Sequence, residues 1–147
     1  MIIRVAAVVA ALLSSAAGAQ TAAQTRQAER DLFEKVVEIP TVKGRGQMPK
    51  LTALLSAELR KAGITDITIK NYDDTQDLIA RWHAPKPSGK KPILLMAHMD
   101  VVEAKASDWK FDPFTFREQD GYYLGRGSND NKAGLTALVL TMQELHA

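Results

Sequence analysis

The run Pro92-Ile93-Leu94-Leu95-Met96-Ala97, which stops at His98-Met99-Asp100, constrains the fold more than any other stretch of the chain. Six consecutive apolar residues fit a strand buried on both faces, and such strands belong to α/β architectures whose helices cover the sheet. Open α/β sheets place their ligands beyond the carboxyl ends of the strands, so His98 to Asp100 stands where chemistry is expected. Side chains two apart on extended backbone point the same way. Asp100 can therefore accept one ring N–H of His98 and leave the other nitrogen free for a metal ion.

The rest of the chain supplies helices interleaved with strands. Residues from Thr21 to about Glu38 predict a helix with Leu32, Phe33, Val36 and Val37 on one face and Pro40 as its stop. Met48, Leu51, Leu54, Leu55 and Leu59 recur at helical spacing up to Gly63, a natural C-cap. Ile67 and Ile69 alternate with Thr68 and Lys70, and Leu78 to Trp82 lies beyond the turn-like Asp73-Asp74, which predicts two short strands. Residues 85–92 are a polar connector. Asp120-Gly121 between Thr115 to Glu118 and Tyr122 to Leu124 predicts a hairpin, because glycine accepts a positive φ. Leu135, Leu138, Val139, Met142 and Leu145 place a last helix over Asn131 to His146. The expected fold class is α/β, a layered central sheet with flanking helices.

The first residues have a different character. Arg4, the apolar stretch Val5 to Leu13 and Ala17-Gly18-Ala19 before Gln20 form the pattern of a cleaved secretory signal. Spanning a bilayer takes about 20 apolar residues, more than this stretch holds. The expected organisation is a signal peptide over 1–19 and a catalytic-domain portion over 20–147, in a periplasmic or secreted protein with no membrane partner once the signal is removed. The chain has no cysteine, so any metal must be held by His, Asp and Glu. Its 19 basic and 17 acidic residues are scattered, which excludes the clustered cation footprint of a nucleic-acid-binding protein.

Asp130, 32 positions after His98, stands in the loop that enters the last helix. Asn129-Asp130-Asn131 before a helix also suits N-capping, and both readings are open on the residues alone. Lys132 is expected to pair or to be solvated. His83 and His146 read as structural, the second at a helix end whose dipole favours its charged form. The loop carboxylates Glu103, Asp108 and Asp112 read as solvated. Nucleotide-binding glycine loops, His-Glu-x-x-His and Gly-x-Ser-x-Gly are all absent.

Taken in order, His98-Met99-Asp100-Val101-Val102, Trp109 with Asp112-Pro113-Phe114, and Tyr123-Leu124-Gly125-Arg126-Gly127-Ser128-Asn129-Asp130-Asn131-Lys132-Ala133-Gly134 resemble the co-catalytic dizinc peptidases and amidohydrolases. That family includes carboxypeptidase G, aminoacylase, acetylornithine deacetylase, succinyl-diaminopimelate desuccinylase and carnosinase. The resemblance covers roughly Asp31 to Ala147. It implies that His98 binds one zinc, that Asp130 bridges two, and that Asp100 is the catalytic-site residue orienting His98. It also implies a cis peptide bond after Asp130. Glu103 stands where many relatives have proline, and Asn131 where a second acidic residue is frequent.

By the same resemblance, the glutamate pair, the further ligands and the dimerisation domain of the family lie beyond the motifs present here. The function implied is zinc-dependent hydrolysis of a peptide or N-acyl amide bond, on a small peptide or N-acyl amino acid, with catalysis by the 147-residue chain alone in doubt. A homodimer is expected only with the dimerisation domain. The alternative expectation is a non-catalytic exported α/β fragment, arising by truncation or needing a partner to supply the rest.

Overall fold

The computed structural model describes residues 22–86 and 89–146, so the expected signal peptide lies outside the described residues. The chain divides after Arg30, and the unit Asp31–Ala147 holds the core and the candidate site. Helix α1 spans Ala22–Val37 and ends three residues before Pro40, whose ring cannot continue it. Helix α2 spans Met48–Lys61, with a proline in its first turn where the missing N–H costs nothing. Beyond it Gly63 takes φ 89°, and Ile64 N–H donates to the Leu59 carbonyl at 3.1 Å, closing the helix.

Strands β1 (Asp66–Tyr72) and β2 (Thr75–Arg81) form an antiparallel hairpin in which Ile67 faces Ala80 and Ile69 faces Leu78. Strands β3 (Arg117–Gln119) and β4 (Tyr122–Leu124) form a second. Its turn residues Asp120 and Gly121 have φ of 53° and 79°, the paired positive values that a two-residue hairpin turn requires. A kinked turn, Ser128–Lys132, leads into helix α3 (Ala133–His146).

The core joins Leu32, Val36 and Ile39 to Leu51, Leu55 and Leu59 of α2, Ile64, and Leu135 and Val139 of α3, with Ile67, Leu78 and Ala80 of the first hairpin packed against it. Each fully buried side chain of this kind contributes about 1.5–3 kcal/mol. The exposed Lys61–Glu58 pair on α2 contributes about 0.2–0.5 kcal/mol. Burial therefore decides where α2 sits.

Helices and strands are both present as expected and the α/β class holds, but the described strands make two separate hairpins instead of one central sheet. The correction falls on residues 92–97. Ile93 to Met96 are between 56% and 87% exposed and carry no strand partner among the described residues. A strand is buried on both faces only when neighbours pair its edges and helices cover it. Here only the far end of the run is packed, where Ala97 and Met99 lie against the core on either side of His98. No described helix is long and apolar enough to cross a membrane.

Candidate functional site

The segment carrying His98 is held from below. Thr41 Oγ1 donates to the Met99 carbonyl at 2.6 Å, and Val101 N–H donates to the Thr41 carbonyl at 3.2 Å. His98 then leans over Asp100, with Nδ1 3.1 Å from the Asp100 carbonyl and 3.3 Å from its Oδ1. Both the backbone carbonyl and the carboxylate of Asp100 therefore face Nδ1.

Asp130 reaches the same place from the other side of the chain. Gly127 turns the backbone with φ 82°, and Lys132 N–H donates to the Gly127 carbonyl at 3.0 Å. Between them Asp130 and Asn131 depart from helical dihedrals, and the Asp130–Asn131 peptide bond is cis. A side chain at Gly127 would strike Val101 Cγ1, so glycine also lets this loop approach the His98 segment. The outcome is that His98 Nε2 donates to Asp130 Oδ1 at 2.8 Å. Of the two readings of Asp130, the carboxylate thus faces the imidazole.

Both ring nitrogens of His98 face oxygen acceptors, and only the imidazolium can donate from both. The hydrogen bond to Asp130 accordingly raises the His98 pKa above its ordinary 6.5 and outweighs the opposing desolvation, with smaller upward contributions from the Asp100 carbonyl and the two carboxylate charges. A metal ion at Nε2 would take the place of that proton. The donor set suits a divalent cation: a neutral imidazole nitrogen and a carboxylate meet at the rim of an open cleft of about 250 Å³, whose walls also include Asp100 and Arg126. Among the described residues no third His, Asp or Glu joins them closely enough to complete a set of three.

The remaining candidates fall elsewhere. Glu103 is held by its neighbour Ala104 N–H at 2.9 Å and by Arg45, whose Nη2 and Nε donate to its two oxygens at 2.6 and 3.1 Å. Asp112 accepts from Phe114 N–H and Asp108 from Ser107 Oγ, so both brace their own loop. His83 pairs with Asp66 at 2.6 Å, and His146 meets the Trp82 ring edge-on with centroids 5.2 Å apart.

Lys132 corrects the expectation of a paired or solvated cation. It is fully buried, and its Nζ donates to the carbonyls of Val37, at 3.2 Å, and Ile39. Burial pushes its pKa from 10.5 down to about 8. The local signal pointed to the surface because lysine usually lies there. Its position is explained by the carbonyl of Val37, at the end of α1, and that of Ile39 just beyond it. Thr41 gave no sequence signal at all.

Residues 94–147 match the model of Peptidase family M20/M25/M40. The chain is 31% identical over 120 residues to succinyl-diaminopimelate desuccinylase of Beijerinckia indica, covering 79% of this chain and 31% of that protein. It is 29% identical over 133 residues to N-fatty-acyl-amino acid synthase/hydrolase PM20D1 of Mus musculus, covering 86% of this chain and 26% of that protein. Among solved structures, human carnosine dipeptidase 1 superposes with a TM-score of 0.59 at 19% identity, over 82% of this chain and 28% of that one, which shows a shared fold. The chain thus spans less than a third of the length of each.

Proposed function

We propose, from the membership of this chain in Peptidase family M20/M25/M40 through residues 94–147, that it carries part of the metal site of a zinc-dependent hydrolase of peptide or N-acyl amide bonds. The observation that carries this reading is the 2.8 Å approach of His98 Nε2 to Asp130 Oδ1 by residues 32 apart in sequence. In this reading His98 Nε2 binds one zinc ion. Asp130, with two carboxylate oxygens able to act as ligands, would hold metal beside it. Asp100 keeps the proton of His98 on Nδ1 and so presents Nε2 as a lone pair. Bound zinc supplies Lewis-acid polarisation of the scissile carbonyl and activates water near neutral pH.

The substrates named for the relatives, a succinylated amino acid and N-fatty-acyl amino acids, have in common an amide beside a carboxylate. Arg126, on the cleft wall, is the cation suited to that carboxylate. The expected result is binding of zinc by the purified chain, measured calorimetrically, and its loss in His98→Ala and Asp130→Ala. Retained affinity in both variants overturns the reading.

A second reading rests on the two-residue donor set of the described chain. A two-zinc site needs more ligands and a general base, so in this reading the 147 residues alone bind metal without hydrolysing amides. Hydrolysis of N-acyl amino acids by the chain alone, abolished by a chelator, overturns it. The proposed location is the periplasm or the exterior, supported by the leader pattern of residues 1–19, and a mature protein beginning at Gln20 is its check.

A further inference from the structure

The contacts that hold the two halves of the site converge on one short stretch of backbone. Lys132 Nζ donates to the carbonyls of Val37 and Ile39. Thr41 Oγ1 donates to the Met99 carbonyl, and the Thr41 carbonyl accepts from Val101 N–H. All four residues at these anchor points are buried: Val37 and Lys132 are 0% exposed, Thr41 2% and Ile39 4%. The cleft loop rests on the same stretch, since a Cβ at Gly125 would lie 2.7 Å from Val37 Cγ1.

We propose that Val37–Thr41 is the positioning turn of this site, holding the Asp130 segment through Lys132 and the His98 segment through Thr41, so that one buried piece of backbone sets the distance between the two side chains. Lys132 and Thr41 are then positioning residues that act through Asp130 and His98. Magnitudes favour this arrangement. The Asp130 side chain is 85% exposed, and an exposed ion pair is worth about 0–1 kcal/mol. Ordering backbone costs about 1–2 kcal/mol per residue, so the pair cannot by itself hold two loops together. Buried hydrogen bonds from a charged donor contribute about 1.5–3 kcal/mol each. Val37 ends α1, where an unpaired carbonyl and the negative end of the helix dipole both favour an ammonium.

The inference deepens the metal reading and rests on it only for the purpose of the pairing, because the pairing itself is present without an ion. The test compares Thr41→Val, which removes the hydroxyl, Thr41→Ser, which keeps it, and Lys132→Met. Thr52→Val is the control, a buried threonine bonded to Met48 and Pro49 carbonyls and to Gln76, away from the turn. The readouts are the ¹⁵N shift of His98 Nε2 at a single pH and zinc affinity by calorimetry.

Thr41→Val and Lys132→Met are expected to return the Nε2 shift to that of an unpaired imidazole and to weaken zinc binding about tenfold or more. Thr41→Ser and Thr52→Val are expected to keep both. Folded Thr41→Val or Lys132→Met with the wild-type Nε2 shift overturns the proposal, as does equal loss in Thr52→Val. If Lys132→Met fails to fold, the Thr41 pair decides. A wild-type chain that binds no zinc, yet whose Nε2 shift still responds to Thr41→Val, upholds the positioning turn and removes the metal reading.

Discussion

Glu103 shows how much of a residue's behaviour comes from neighbours far off in the chain. Its carboxyl lies below the ordinary 4.5, first because Ala104 N–H donates to it and second because Arg45 pairs with it, 58 positions away in sequence. A folded pKa below the unfolded one contributes stability above the ordinary glutamate range, and that contribution is lost as pH falls through the folded value. In a ¹³C titration, Glu103 is expected to have a midpoint below 4.5, and Arg45→Met to raise it part of the way back, since the Ala104 hydrogen bond remains. A midpoint unmoved by Arg45→Met would show that the ion pair contributes nothing. His98 follows the same logic with opposite sign, its pKa raised by a carboxylate 32 residues away.

At the scale of elements, α2 carries the packing on which the first hairpin and α3 rest. Leu51 and Leu55 are 0% exposed and belong to the apolar cluster that also holds side chains of both neighbours. Leu55→Ala is expected to cost about 2–5 kcal/mol, the transfer term plus the cavity left in a core that cannot collapse around it. Urea denaturation checks this, and a loss under 1 kcal/mol would mean that α2 is not central to the core. The exposed Lys61→Ala should change stability by no more than about 0.5 kcal/mol. The helices were legible because their signals are local: apolar period, Pro40, Gly63. The second hairpin was legible from Asp120-Gly121, since the turn itself demands positive φ.

Across the whole molecule, the apolar run beneath His98 is the feature at odds with the rest. Ile93, Leu94, Leu95 and Met96 present consecutive exposed apolar side chains without a described strand partner. Such a stretch is a template for pairing with another chain. Leu94→Lys is therefore expected to reduce concentration-dependent association in light scattering while leaving the thermal midpoint within about 2 °C, because an exposed substitution changes stability by about 0.5 kcal/mol or less. Undiminished association would place the sticky surface elsewhere, with Tyr122 and Leu145 the next exposed candidates.

The amino-acid sequence by itself determined the helices, two short strands after α2, the hairpin at Asp120-Gly121, and the presence of a histidine motif and an aspartate motif at a defined separation. These depend on side-chain period and turn chemistry over a few residues, which any window of the chain displays. Tertiary structure alone decided that Asp130 faces His98 instead of capping α3, that Lys132 is drawn inside to the end of α1, and that Thr41 lies under Met99. Each of those depends on side chains brought to partners from 32 to 95 residues apart. An unpaired carbonyl at a helix end has no signature in the sequence until the chain that satisfies it has folded against it.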